Sequence, residues 1–237
     1  MTDAHCHVSC GDPSVREFLV GRDFFGVHPW ETLGGTVPQV PLIPRLRSIL
    51  LANPGAGVGE IGLDRLRVRD IPPLMREVFE AQLALAFELR RPVVLHGAKC
   101  WGQVVGIIKN YELRIMNNGG NHSLIHDSSF IIHNSFLFHG FSRSDGLIPD
   151  IVALNGYISV GPAVLNDHAV NYRELVKRIP LERLLVETDR TDDSVRRDIR
   201  EVLAKTAEVV GIPAAELERV TDENAQRFMS GTPAVRP

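Results

Sequence analysis

The chain has 237 residues, 26 lysines and arginines against 29 aspartates and glutamates, and a formal net charge of −3; 44% of it is hydrophobic and 23% charged. That balance is ordinary for a globular protein and excludes a strongly basic nucleic-acid coat, and no apolar run is long enough to span a bilayer. The three cysteines are an odd number without CxxC spacing, which argues against a disulfide scaffold or a zinc ribbon and suits a reducing cytoplasm.

Short apolar or β-branched runs alternate along the chain with helical patterns, as in successive βα units with a parallel sheet. The first strand is expected to end at His7, after a start that shows no basic stretch leading into an apolar one and hence no signal peptide. Phe24-Phe25-Gly26-Val27-His28 and a run ending at Glu60 follow. Met75, Val78, Phe79, Leu83, Ala86 and Phe87 recur at three- and four-residue spacing and predict an amphipathic helix. Pro92-Val93-Val94-Leu95-His96 is the next strand. Residues Asn117 to about Ser129 break the rhythm, rich in Asn, Ser, Gly and His, and are expected to form an insertion or long loop. The strand after it should end at His139, and two more near Ser159 and at Asp189. A helix is expected from near Val195, stopped by Gly211; Pro213 can open another, and Thr221 is the expected N-cap of the last one, through Met229. Seven strands in this order favour one (β/α)8-type TIM barrel over residues 1–237, with the eighth strand short or missing. A doubly wound sheet is the alternative, but His5-Cys6-His7-Val8 is not the glycine-rich turn such a sheet usually carries.

The strand ends carry the chemistry. Side chains alternate along a strand, so His5 and His7 point the same way and can grip one ion. Such an HxH pair is common by chance, and its bland reading is two satisfied strand histidines. Yet Glu60, His96, His139 and Asp189 also end candidate strands, and in a barrel the C-terminal strand ends converge on one site. Four histidines and two carboxylates suit one or two divalent ions such as Zn²⁺, Mn²⁺ or Mg²⁺.

At these residues the chain resembles the TatD family of metal-dependent hydrolases. The matching stretches are Asp3-Ala4-His5-Cys6-His7, Gly26-Val27-His28-Pro29-Trp30, Gly59-Glu60-Ile61-Gly62-Leu63-Asp64, the strand ending at His96, His139-Gly140-Phe141-Ser142 and Leu185-Val186-Glu187-Thr188-Asp189. The resemblance implies that His5, His7 and Asp189 hold one metal, that His96 and His139 hold the second, and that Glu60 bridges the two. It places His28 beside the substrate, makes Asp189 the acceptor of a proton from the attacking water, and implies cleavage of phosphodiesters in single-stranded DNA. Family members usually carry an arginine two residues after the strand-end histidine, where this chain has Ala98; Lys99 is the nearest replacement, as a point charge without the guanidinium fork.

Arg65, Arg143 and Arg190 also follow ligand-bearing strands and are candidate phosphate contacts, with Lys99 and Arg65 foremost; merely solvated loop charge is their bland reading. Trp30 and Trp101 are candidate base-stacking residues, or packing under a loop. Two other functions stay open: hydrolysis of a small ester, amide or lactone on the same barrel, and a partner-dependent or non-catalytic subunit docking a protein through residues 117–129.

Overall fold

The computed structural model describes residues 1–34, 41–118, 134–192 and 198–231, without the side chains of 115–118. Eight parallel strands run in chain order: β1 (Thr2–Cys6), β2 (Arg16–Leu19), β3 (Phe24–Phe25), β4 (Gly57–Asp64), β5 (Val93–Ala98), β6 (Phe136–Phe138), β7 (Gly156–Val160) and β8 (Leu184–Val186). β1 pairs with β2, and β3 to β8 form one sheet in sequence order. A single parallel bridge between Val20 and Phe24 joins the two sets. On the other side, the amide of Asp189 donates to the His5 carbonyl at 3.0 Å, and that of His7 to the Arg190 carbonyl at 2.8 Å. These bonds carry the ring from β8 back to β1 in a TIM-barrel fold.

The eighth strand is therefore present, and it is β2. It escapes a pattern reading because it is short, begins with two charged residues and follows β1 through a loop, residues 7–15, instead of a helix. The crossover helices are α1 (Leu42–Ala52), α2 (Pro73–Leu89), α3 (Trp101–Asn118), α4 (Ile148–Ala153) and α5 (Val170–Val176), with α6 (Ile199–Val210) and α7 (Ala214–Ser230) closing the described chain. Met75, Val78, Phe79, Leu83 and Ala86 of α2 are buried, as their spacing predicts. Residues 119–133, which hold most of the expected insertion, lie outside the described residues, as do 193–197. α6 begins at Ile199, where the Asp198 side chain accepts the Arg200 amide, and ends at Gly211 in the left-handed conformation.

Thr221 is not an N-cap. It lies within α7, which runs unbroken from Ala214, and its Oγ1 donates back to the Leu217 carbonyl at 2.9 Å. A threonine satisfied by the preceding turn gives the same local sequence signal as one that starts a helix.

Strand alternation sorts the core into two layers. Val93, Leu95, Phe136, Phe138, Ile158, Leu184 and Val186 pack outward in the larger cluster with the helices. The intervening Val94, Leu137, Tyr157 and Leu185 pack inward with Ala4, Phe18 and Phe24. α7 plugs this interior from below: the Phe228 ring lies 5.9 Å from those of Phe24 and Tyr157, and Ser135 Oγ donates to the Phe228 carbonyl. Two residues further along the inward face of each strand come His96, His139, Ser159 and Glu187. The apolar floor thus ends where the polar site begins.

Candidate metal centre

Glu60 is the hub of that site. Nitrogens of His5, His7, His28, His96 and His139 lie 2.5 to 3.5 Å from its carboxylate oxygens. Burial would raise the Glu60 carboxyl, but His139 foremost, with His28 and His5, holds it well below the usual carboxylate range. The buried His139 ring is driven well above its ordinary value, against its burial, by Glu60 and Glu187. Asp189 stands across the mouth, its Oδ1 at 3.9 Å from His5 Nε2 and 3.7 Å from His7 Nε2. It sits at φ +45° beyond the end of β8. All six expected ligands therefore surround one point at the C-terminal ends of the strands.

The donor set fits divalent cations. His5, His7 and Glu60 place ligand atoms within 4.8 Å of one another; so do His28, Glu60 and His96, and so do His5, His139 and Asp189. His5 is fully buried, and neither ring nitrogen has a hydrogen-bond partner among the described residues. A buried imidazole in that state, aimed at two carboxylates, is suited to a cation. Asp3, Cys6 and Glu17 also cluster, but their carboxylates are otherwise engaged: Asp3 accepts the Thr188 amide and hydroxyl, and Glu17 accepts Ser9, the Cys10 amide and Arg190.

Behind the candidate ligands stands a layer of carboxylates to which the sequence reading assigned no role. Asp64 Oδ2 accepts His96 Nε2 at 3.0 Å and Trp30 Nε1 at 2.6 Å, while its Oδ1 accepts the Leu66 amide at 2.5 Å. Glu187 Oε1 lies 3.7 Å from His139 Nδ1 and accepts the Gly140 amide, and its Oε2 accepts Ser159 Oγ. Carboxylates on the far nitrogen of a ligating histidine fix its ring orientation and raise its basicity. The signal for both was parity, because Asp64 and Glu187 share strand faces with Glu60 and Asp189. Gly62 makes β4 and β5 fit here: at φ +149°, a Cβ on it would meet the His96 carbonyl oxygen at 1.9 Å.

The expected substrate contacts fare unevenly. His28 lies in the site beyond β3, its Nδ1 accepting the Trp30 amide at 3.2 Å, which leaves Nε2 facing Glu60 and His96. Lys99 is exposed on a left-handed turn after β5, and Arg65 is exposed with Nε donating to the Arg69 carbonyl. Arg143 is exposed too. Arg190 is a structural tie, because it donates to the Val8 carbonyl and pairs with Glu17, and both partners hold the β1–β2 loop. Trp101 is no base platform: it is buried against Phe138 and Phe141. Trp30 stays 40% exposed, but the Arg67 guanidinium covers its ring at 3.6 Å.

No helix among the described residues is long and apolar enough to cross a membrane. Comparison with known proteins agrees with the geometry. The family model described as TatD related DNase matches residues 21–230. The chain is 27% identical over 230 residues to the metal-dependent hydrolase YabD of Bacillus subtilis (strain 168), covering 90% of this chain and 81% of that one. It is 27% identical over 216 residues to the 3'-5' ssDNA/RNA exonuclease TatD of Pectobacterium atrosepticum, covering 85% and 75%. The solved structure of the TatD homologue YjjV from Escherichia coli K12 superposes with a TM-score of 0.68 at 21% identity, over 94% of this chain and 79% of that one, which supports the fold. The chain belongs to the TatD-related DNase family and is a TatD-like metal-dependent hydrolase.

Proposed function

We propose that this chain hydrolyses phosphodiester bonds in single-stranded DNA, using two divalent ions drawn from Mg²⁺, Mn²⁺ and Zn²⁺. The observation that carries the reading is Glu60, a buried carboxylate with histidine nitrogens facing both of its oxygens. In this reading His5, His7 and Asp189 hold one ion, His96 and His139 the other, and Glu60 belongs to both. Such ions lower the pKa of bound water and neutralise charge on phosphoryl oxygens.

The chain's own groups do the rest. Asp189 is the most exposed of the proposed ligands' carboxylates and takes the proton released by the attacking water. His28, its Nδ1 occupied by the Trp30 amide, offers Nε2–H to a substrate oxygen. Lys99 and Arg65, on the loops after β5 and β4, supply positive charge to the rest of the strand. The nuclease assignment of the TatD relative and the family description support DNA as the substrate.

The deciding experiment is an assay of a single-stranded oligodeoxynucleotide and of a neutral aryl ester, amide and lactone, each with Mg²⁺ or Mn²⁺. Metal-dependent cleavage of the oligonucleotide is expected. Robust turnover of a neutral substrate with no DNA cleavage overturns the reading in favour of a small-molecule hydrolase.

A further inference from the structure

We propose that Arg67 is a phosphate anchor of the site, a specificity-determining residue that grips the substrate strand beside the reacting phosphate. The inference rests on the phosphodiester reading above and extends it. The loop after β4 reads Arg65-Leu66-Arg67-Val68-Arg69 and is basic at every second position. Within it, Arg67 alone is placed against the site: its Cζ lies 3.6 Å from the centre of the Trp30 ring, and that ring lies 6.2 Å from His96.

One carboxylate ties together the groups around Arg67. Asp64 holds the Trp30 indole and the candidate ligand His96 on the same oxygen, and with its other oxygen fixes the Leu66 amide at the start of the loop. His28 caps the Trp30 backbone amide, and its ring packs edge-on against the indole at 4.7 Å. The indole is thus tied at Nε1 and packed along one edge, which sets the position of the cation lying over its face.

Stacking uses the face of the guanidinium and leaves its in-plane N–H donors for another group. Arg67 is exposed and makes no ion pair among the described residues. A planar fork of donors, stacked on an aromatic and next to a candidate phosphoryl-transfer site, matches a phosphate oxygen pair. Lys99 has no comparable support: it is an exposed point charge on a turn. The indole face covered by Arg67 is correspondingly not free to stack a base.

The test is fluorescence anisotropy of a labelled single-stranded oligodeoxynucleotide in EDTA, where binding is read without turnover. Wild type, Arg67→Ala, Arg67→Lys and Lys99→Ala are compared across a salt series. Arg67→Ala should weaken binding about ten-fold at low salt and lower the slope of log Kd against log salt by about 0.7, the value of one lost single-strand phosphate contact. Arg67→Lys should restore the slope but only part of the affinity, and Lys99→Ala should cost less than Arg67→Ala. With Mn²⁺ present, Arg67→Ala should raise KM while leaving kcat within about two-fold. Wild-type binding that Arg67→Ala leaves unchanged in strength and salt slope overturns the inference alone. A wild-type protein that neither binds nor cuts the oligonucleotide overturns the phosphodiester reading and the inference with it.

Discussion

Asp64 and His96 face each other across 3.0 Å, on the side of the imidazole away from Glu60, whose Oε1 lies 2.5 Å from Nδ1. A neutral imidazole has one N–H to give. In the tautomer that gives this hydrogen to Asp64, Nδ1 is left with a lone pair facing the Glu60 carboxylate, and a cation shared by the two groups would relieve that contact. Asp64→Asn keeps the shape but weakens the acceptor. The expected outcome is a ten- to hundred-fold loss of Mn²⁺ affinity by calorimetric titration, with hydrolysis recovered as Mn²⁺ is raised. An affinity within two-fold of wild type would show that His96 needs no such support.

Glu60→Gln tests the hub itself. The amide preserves volume but removes the charge that faces the surrounding histidines, so the far-UV circular dichroism spectrum should be unchanged. Turnover should fall at least about hundred-fold, the scale of about 2.7 kcal/mol in the barrier. Bound metal, measured by elemental analysis, should drop as well. Near wild-type activity in this variant would remove Glu60 from the mechanism.

How far the sequence was legible depended on strand parity. The convergence of His5, His7, Glu60, His96, His139 and Asp189 could be read because each stands at or beside the end of a candidate strand, and barrel strands bring their ends to one place. The second layer was harder. Asp64 and Glu187 lie inside the same motifs, yet their work depends on which way the His96 and His139 rings turn, and that is a property of packing. β2 is only four residues long, opens on Arg16 and Glu17, and has no preceding helix. The Thr221 reading failed because a back-bonded threonine and a capping threonine look alike until the chain before them is placed. Arg67 was indistinguishable from Arg65 and Arg69 in a basic loop until the indole of Trp30 was seen beneath it.

Removal of metal should cost stability as well as activity. His5 buries two ring nitrogens that have no hydrogen-bond partner among the described residues, next to the ionised Glu60 carboxylate. An ion at about a hundred times its Kd adds about 2.7 kcal/mol to the folded state by mass action. In a chain of this size that corresponds to a Tm higher by about 5–10 °C. Thermal melts after dialysis against EDTA, repeated with added Mg²⁺, Mn²⁺ or Zn²⁺, measure it. Identical melting in all conditions, together with activity in EDTA, would contradict a metal-dependent centre.

A last prediction lies away from the site, on α3. Glu112 is partly buried, its Oε1 has no hydrogen-bond partner among the described residues, and burial pushes its carboxyl up to about 7 against the opposing pull of Lys109. In the unfolded chain the same group titrates near 4.5. Below that pH both states hold the proton and the site costs nothing. Between 4.5 and 7 the unfolded chain releases its proton while the folded chain keeps it, so stability falls as pH rises through this window and levels off above it. Because the side chain is partly exposed, solvent screening limits the penalty to about 1 kcal/mol. Glu112→Gln removes the titration. Its Tm should exceed that of wild type by about 2–4 °C at pH 8 and match it near pH 4.5, as read by paired thermal melts. An equal difference at both pH values would mean that the substitution acts through packing instead of through the buried charge.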